Sequence, residues 1–218
     1  MKEYKDIKWF QSFEIEPGVH TVSAKDTKKL KKREESYFKG VDFKGKSVLD
    51  IGAWDGYFSF AAKRRGAGRV LATDYVCWSG PGWGTKDGFD YARAKFGMTD
   101  IEDKEIDAMD ISPKTVGMFD IVLFTGVFYH LRDPLRGLEL AASVAKETLI
   151  VETVLDANFT WRPMMVFYPG SELAGDPTNW WGPNLPLMLA LLKDLGFSKI
   201  EWRRDPAWKR RAHFVARR

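Results

Sequence analysis

The chain has 218 residues, of which 44% are hydrophobic and 29% charged, with a single cysteine, Cys77. That length supports one domain with a substantial core, while a lone cysteine excludes an intrachain disulfide or a cysteine-rich metal cluster and fits a reducing, cytoplasmic setting. The 34 basic residues nearly balance 30 acidic ones, so a net charge of +4 permits nucleic-acid binding without demanding it, and no apolar run approaches the roughly 18 residues of a membrane span.

Residues 1–45 stand outside the rhythm of the rest and read as an N-terminal arm or lid. Within them Leu30, Tyr37 and Phe38 share the spacing of one helix face. The basic run 28–33 reads either as a solvated helix face or as a patch for phosphate or another anion. From Lys46 onward, apolar runs at 47–51, 69–73, 119–124 and 148–152 read as buried strands, and amphipathic stretches at 58–65, 88–96 and 134–145 as helices. This alternation through 46–154 predicts an α/β fold, with a parallel sheet covered on both faces. A shorter run at 105–109 ends at Asp110. Residues 155–184 break the rhythm again and read as an insertion over the acceptor. A helix at 185–195, stopped by Gly196, precedes strand-like runs at 199–203 and 212–216 that form a hairpin-like end.

The first strand enters the turn Asp50-Ile51-Gly52-Ala53-Trp54-Asp55-Gly56, and ligands bind at such carboxyl ends of strands. Gly52 permits positive φ and close backbone approach, and Gly56 permits tight packing of the following helix. Asp50 is placed to hold the ammonium of a methionine-like group, directly or through water. Asp74, closing the next strand, is placed to accept both hydroxyls of an adenosine ribose. Trp54 replaces a glycine of the dinucleotide fingerprint, which disfavours a pyrophosphate and suits a cofactor without phosphates, provided its amide rather than its ring faces the ligand. Asp110 reads as an acceptor for an adenine amino group with Met109 beside the ring, or else as a simple helix cap.

The fourth strand and its exit, Phe119-Asp120-Ile121-Val122-Leu123-Phe124-Thr125-Gly126-Val127-Phe128-Tyr129-His130-Leu131-Arg132-Asp133-Pro134-Leu135, together with Val48-Leu49-Asp50-Ile51-Gly52-Ala53-Trp54-Asp55-Gly56, Glu152-Thr153, Tyr168-Pro169-Gly170 and Asp176-Pro177-Thr178-Asn179-Trp180-Trp181-Gly182-Pro183-Asn184, resembles the family of tRNA wobble-uridine carboxymethyl-transferring enzymes and their methyltransferase relatives. That resemblance runs from about Trp9 to the C-terminus. It implies a Rossmann-like class I methyltransferase fold, a seven-stranded, mostly parallel sheet with a C-terminal antiparallel strand. It also implies cofactor contacts from Trp54, Asp74, Tyr75, Val76, Met109, Asp110, Thr125 and Tyr129. Arg211 matches an arginine that helps those enzymes bind the extra carboxylate of carboxy-S-adenosylmethionine. The lysine that shares this task there has no counterpart, and most of the family's N-terminal extension is lacking. The expected donor is therefore S-adenosylmethionine rather than its carboxylated analogue. Gln11 also stands where relatives of similar length carry a histidine.

Methyl transfer needs alignment of the nucleophile and, for an alcohol, removal of its proton. His130 is the candidate base, since an unperturbed imidazole titrates near pH ~6.5; its alternative is a structural histidine bonded to a carbonyl. Tyr129 reads as facing the cofactor or as core packing. Glu152, ending a buried strand, must meet a partner or the pocket. Asn179, Trp180 and Trp181 read as an acceptor lid or as a loop anchored by tryptophans. His20 and His213 show no metal-ligand spacing, so no metal is expected. Three functions follow: a methyltransferase acting on a small-molecule hydroxyl or amine (sugar, lipid-linked or secondary metabolite), a tRNA wobble-uridine modifying enzyme, and a non-catalytic cofactor-binding module. No feature of the sequence signals an oligomeric state.

Overall fold

A computed structural model describes residues 2–218. The arm carries the short strands β1 (Trp9–Gln11), β2 (Glu14–Glu16), β3 (Val19–His20) and β4 (Ser23–Lys25), followed by helix α1 (Thr27–Tyr37). β1 pairs with β4 in parallel, and β2 with β3 as a hairpin. Asp26 starts α1 by accepting the Lys29 amide at 3.1 Å, and the helix turns Leu30, Arg33 and Tyr37 inward.

The core then runs β5 (Ser47–Ile51), α2 (Tyr57–Arg64), β6 (Arg69–Asp74), α3 (Asp87–Lys95), β7 (Glu102–Glu105), β8 (Phe119–Thr125), α4 (Pro134–Ser143) and β9 (Ala145–Val154). An insertion holds the antiparallel pair β10 (Met165–Phe167) and β11 (Trp181–Pro183), and the chain ends with α5 (Leu185–Asp194), β12 (Lys199–Arg204) and β13 (Arg211–Arg217). Seven strands form one sheet in the order β12-β13-β9-β8-β5-β6-β7, and β13 alone runs antiparallel to its neighbours. Strand order reverses between β5 and β8, and an α/β sheet opens its binding crevice at the carboxyl ends there.

Both faces of the sheet are covered, which explains why β5, β8 and β9 are near-continuous apolar runs. One face packs Phe38, Phe43, Phe58, Phe60 and Phe89 from the arm, α2 and α3. The other packs Leu138, Met188, Leu192 and Phe197 from α4, α5 and the loop behind α5. Two elements differ from the sequence expectation. β7 lies at Glu102–Glu105 instead of 105–109, because this edge strand is Glu-Asp-Lys-Glu and pairs through its backbone with β6 without any apolar alternation to reveal it. β9 extends beyond 148–152 at both ends because β8 and β13 flank it and supply ladder partners along its length.

The arm docks on the C-terminal hairpin through buried polar groups. Arg33 Nε lies 2.8 Å from Asp205 Oδ2, Tyr37 donates its hydroxyl to the same oxygen at 2.5 Å, and His213 Nε2 donates to the Ser36 carbonyl at 3.0 Å. His213 is fully buried, and burial pushes its pKa down to about 4 against the pull of the Ser36 carbonyl. The folded protein therefore holds it neutral while the unfolded chain protonates near pH ~6.5. Between those values the unfolded state binds the extra proton, so stability falls as pH drops from about 6.5 toward about 4, by up to roughly 3 kcal/mol from this group. Urea unfolding across that range should show a shallower acid loss in His213→Gln than in the wild type; equal slopes would remove His213 as the cause.

Candidate functional site

The glycine turn is built by packing rather than by ligand approach alone. Gly52 and Gly56 adopt φ of +75° and +83°. A Cβ on Gly52 would lie 2.6 Å from Val127 Cγ2, and one on Gly56 would strike Phe89 and Phe60 at 2.6 and 2.9 Å. Trp54 also takes a left-handed φ of +53°, which costs a non-glycine residue about 1 kcal/mol. Its amide donates to Asp74 Oδ2 at 3.0 Å, so the expectation that this amide would face the ligand is corrected. The ring lies on the cavity instead, stacked on Phe10 at 3.4 Å between centroids and set edgewise to Trp83.

Asp55 ties the arm to this turn, a role the sequence reading did not assign. Its buried carboxylate accepts the amides of Phe10 and Gln11, both at 2.8 Å. Gln11 returns the contact by accepting the Tyr57 amide at 2.9 Å. That bond caps α2, whose own N-cap glycine has no side chain to do so. The indole of Trp83 donates to the Lys8 carbonyl at 3.0 Å, joining the loop after β6 to the arm.

These elements enclose a cavity of about 910 Å³, within the range of small-molecule sites. Its lining includes Phe10, Gly52, Trp54, Asp74, Tyr75 and Val76 together with Tyr129, His130, Asn179, Trp180, Trp208 and Arg211. Asp74 accepts the Trp54 and Cys77 amides. Burial pushes its pKa up, against the pull of the Cys77, Trp54 and Tyr75 amides. Asp50 lies behind, in an inner chamber of about 20 Å³ that shares Gly52, Leu30, Arg33 and Gly126 with the large cavity and reaches Thr125 and Glu152. That is room for about one water. Asp50 accepts from Ser59 Oγ at 2.7 Å, and burial raises its pKa to about 6 despite that bond.

Four expected residues line neither the cavity nor the inner chamber: Gly56, packed against Phe60 and Phe89, and Met109, Asp110 and Trp181. Ile106, Asp107 and Ala108 line the cavity where Met109 and Asp110 were expected. β7 ends at Glu105, so the next residues reach the crevice first, and Asp107 instead caps the turn by accepting the Met109 amide at 2.8 Å. Trp181 is off the cavity as well. Adjacent residues of an extended chain face opposite ways, so Trp180 takes the cavity side and Trp181 packs on Phe167 at 5.1 Å.

The floor is a buried ion pair. Arg211 Nη1 donates to both Glu152 oxygens, at 3.0 and 3.2 Å, and its guanidinium lies 4.6 Å from the centroids of both Tyr129 and Trp208. Burial opposes the charge on Arg211, but Glu152, Tyr129 and Tyr37 together outweigh it and the pKa rises. Burial pushes the Tyr129 phenol up to about 12. His130 Nδ1 lies 2.9 Å from the Thr178 carbonyl and 3.0 Å from its hydroxyl. A carbonyl only accepts, so Nδ1 carries the proton and the neutral ring keeps its lone pair on Nε2.

Fold and site define a Rossmann-like class I methyltransferase. The family model for the methyltransferase domain matches residues 24–201, and the chain belongs to that family, whose cofactor is S-adenosylmethionine. Its curated relatives include tRNA U34 carboxymethyltransferases of Dichelobacter nodosus (strain VCS1703A), 29% identical over 72% of this chain and 47% of the relative, and of Pseudomonas fluorescens (strain SBW25), 28% identical over 73% and 48%. The chain thus spans about half the length of these relatives. Among solved structures, it resembles the N-terminal domain of EvdMO1 in the presence of SAH and D-fucose, with TM-score 0.67 and 22% identity over 95% of this chain and 89% of that one. It also resembles magnesium protoporphyrin IX methyltransferase from Synechocystis PCC 6803 with bound SAH, with TM-score 0.62 and 16% identity over 88% and 82%. At these identities the two structures speak to the fold.

A carboxylate at position 74 is the group that a ribose diol would engage. Asp74→Asn keeps the volume but removes the charge, and a hydrogen bond to a charged group contributes about 1.5–3 kcal/mol. Affinity for S-adenosylhomocysteine, measured by calorimetry, should fall by roughly ten- to a hundredfold, and an unchanged affinity would exclude Asp74 from the donor site.

Proposed function

We propose that this protein transfers the methyl group of S-adenosylmethionine to a hydroxyl of a small molecule, such as a sugar, lipid-linked or secondary metabolite, with His130 as base. The observation that carries this reading is one cavity lined by both a carboxylate that could engage a ribose, Asp74, and an oriented imidazole, His130. When bound, the donor supplies a methyl already activated on a sulfonium sulfur. Asp74 holds the ribose, Tyr75, Val76 and Ile106 flank the adenine, and Asp50 meets the methionine ammonium through a water in the inner chamber. Tyr129 and the Arg211–Glu152 pair form the floor against which the reacting groups align. As the acceptor oxygen bonds to the methyl carbon, its proton passes to His130 Nε2 and the carbon–sulfur bond breaks with its electron pair on sulfur.

The charge on the floor favours the ordinary donor. Glu152 already neutralises Arg211, and a donor carboxylate placed there would meet Glu152 as a like charge. Mass spectrometry of the ligand carried through purification should give S-adenosylmethionine or S-adenosylhomocysteine, and the carboxylated mass would overturn this assignment. His130→Ala should lower methyl transfer to the responsive acceptor about 10²–10⁴-fold while leaving S-adenosylhomocysteine affinity within twofold. Retained turnover would return His130 to a structural role.

A second reading, modification of a tRNA wobble uridine, draws on the curated relatives and on Lys28, Lys29, Lys31 and Lys32, which α1 exposes beside the cavity. Against it, Arg33, Arg210 and Arg211 are engaged by Asp205, Asp156 and Glu152. Labelling of bulk tRNA in preference to a metabolite extract, with binding that weakens steeply with salt, would favour this reading over the first.

A further inference from the structure

The loop that leads from β9 into β10 turns its largest apolar side chains outward. Phe159 is 90% exposed and Trp161 82% exposed, although aromatic rings gain more than most side chains from leaving water. The loop is nevertheless tied down. Asn184, fully buried, donates from Nδ2 to the Arg162 carbonyl at 2.7 Å and accepts the Met164 amide at Oδ1 at 3.1 Å, and its own amide donates to the Met164 carbonyl at 2.9 Å. Ala157, where the loop begins, takes a left-handed φ of +48°, a strained conformation for a residue with a Cβ. The fold thus spends hydrogen bonds and strain on a loop that holds two aromatic rings in solvent.

Asn184 is also the N-cap of α5, where Oδ1 accepts the Leu187 amide at 3.0 Å, so the aromatic tip stands beside the start of that helix. α5 turns Met188 and Leu192 inward. A surface helix carries charged and polar side chains opposite such a stripe. Here Pro186, Leu187 and Ala190 occupy the partly or fully exposed positions of the first two turns, and Lys193 and Asp194 come only in the last. Residues 157–171 and 177–192 together hold one charged side chain, Arg162, and no acidic one. Exposed apolar surface of this kind marks a contact with a protein or a membrane.

Charge separates the two. A second copy of the chain would bring the same patch against itself, and each Arg162 would then meet an apolar surface without a carboxylate to answer it. An anionic lipid surface supplies both the apolar phase and the counter-charge. We propose that the tip from Phe159 to Arg162 and the first two turns of α5 dock this protein on an anionic lipid bilayer. Phe159 and Trp161 enter the boundary between headgroups and acyl chains, where aromatic rings are favoured, and Arg162 pairs with a lipid phosphate or carboxylate. α5 has only ten residues, half of what a membrane-spanning helix needs, so this face lies on the bilayer and does not cross it. The docking stands independently of which acceptor the cavity takes.

The test is co-sedimentation of the full chain with extruded vesicles, either phosphatidylcholine alone or equal parts phosphatidylcholine and phosphatidylserine. The wild type should bind the mixed vesicles several-fold more tightly than the neutral ones. Affinity for the mixed vesicles should fall about tenfold or more in the double variant Phe159→Ser, Trp161→Ser, and roughly tenfold in Arg162→Glu, which reverses the charge at the surface. S-adenosylhomocysteine affinity within twofold of wild type in both variants shows that the fold is retained, and Arg162→Glu carries the test if the double variant does not fold. No binding of the wild type to mixed vesicles, equal binding to the two kinds of vesicle, or binding undiminished in the variants would overturn the proposal. So would a dimer in sedimentation velocity that the double variant abolishes, because this face would then belong to a second copy.

Discussion

Two buried arginine–carboxylate pairs, Arg211 with Glu152 and Arg33 with Asp205, hold the floor of the cavity and the arm that covers it. Removing one partner of such a pair strands a charge in a low-dielectric interior, at a cost of about 3–5 kcal/mol. Each pair is also a geometric clamp. The first joins β9 to β13 across the sheet, and the second joins α1 to the turn that follows β12. The large cavity exists because these clamps keep α1, the Tyr129-His130 turn and the Trp208 loop at fixed distances from the carboxyl ends of β5 and β6.

The same pairs shape the electrostatics of the site. Arginines that read in one dimension as a basic surface are spent inside the fold, so the cavity floor is close to neutral. Lys28, Lys29, Lys31 and Lys32 of α1 remain exposed. A neutral floor suits an electrophile that already carries its own positive charge, while the desolvated carboxylates Asp50 and Asp74 supply the opposite sign around it. The arm is more than a cover. Asp55 accepts two amides of the arm and Gln11 of the arm accepts the Tyr57 amide, so the glycine turn and the arm are one hydrogen-bonded unit.

The wall around His130 has a different character. Its side chains come from the turn after β8 and from the insertion between β9 and α5, and they are held by backbone carbonyls: Thr178 orients His130, Leu173 orients Asn179, and Pro177 accepts the Trp180 indole. Such a scaffold positions polar tips with little dependence on surface residues.

Local chemistry was enough to determine the parallel α/β core, the glycine turn, and the placing of Asp74, Tyr129 and His130 on one crevice. Buried strands must be apolar, tight turns need left-handed φ, and the carboxyl ends of parallel strands open on a common edge. The pairings could not be read in this way, because they join residues far apart in the chain: Arg33 with Asp205, Arg211 with Glu152, and Asp55 with the arm. Nor could the start of β7, a polar edge strand without alternation, and that misplaced the expected adenine contacts onto Met109 and Asp110. Which of two neighbouring tryptophans meets the cavity was likewise a matter of strand parity, settled when β11 paired with β10. The sequence by itself determined which chemical groups were available and near which turn; only the tertiary structure decided which charges cancel one another and which side chains line the cavity, because both depend on distances that sequence spacing does not encode.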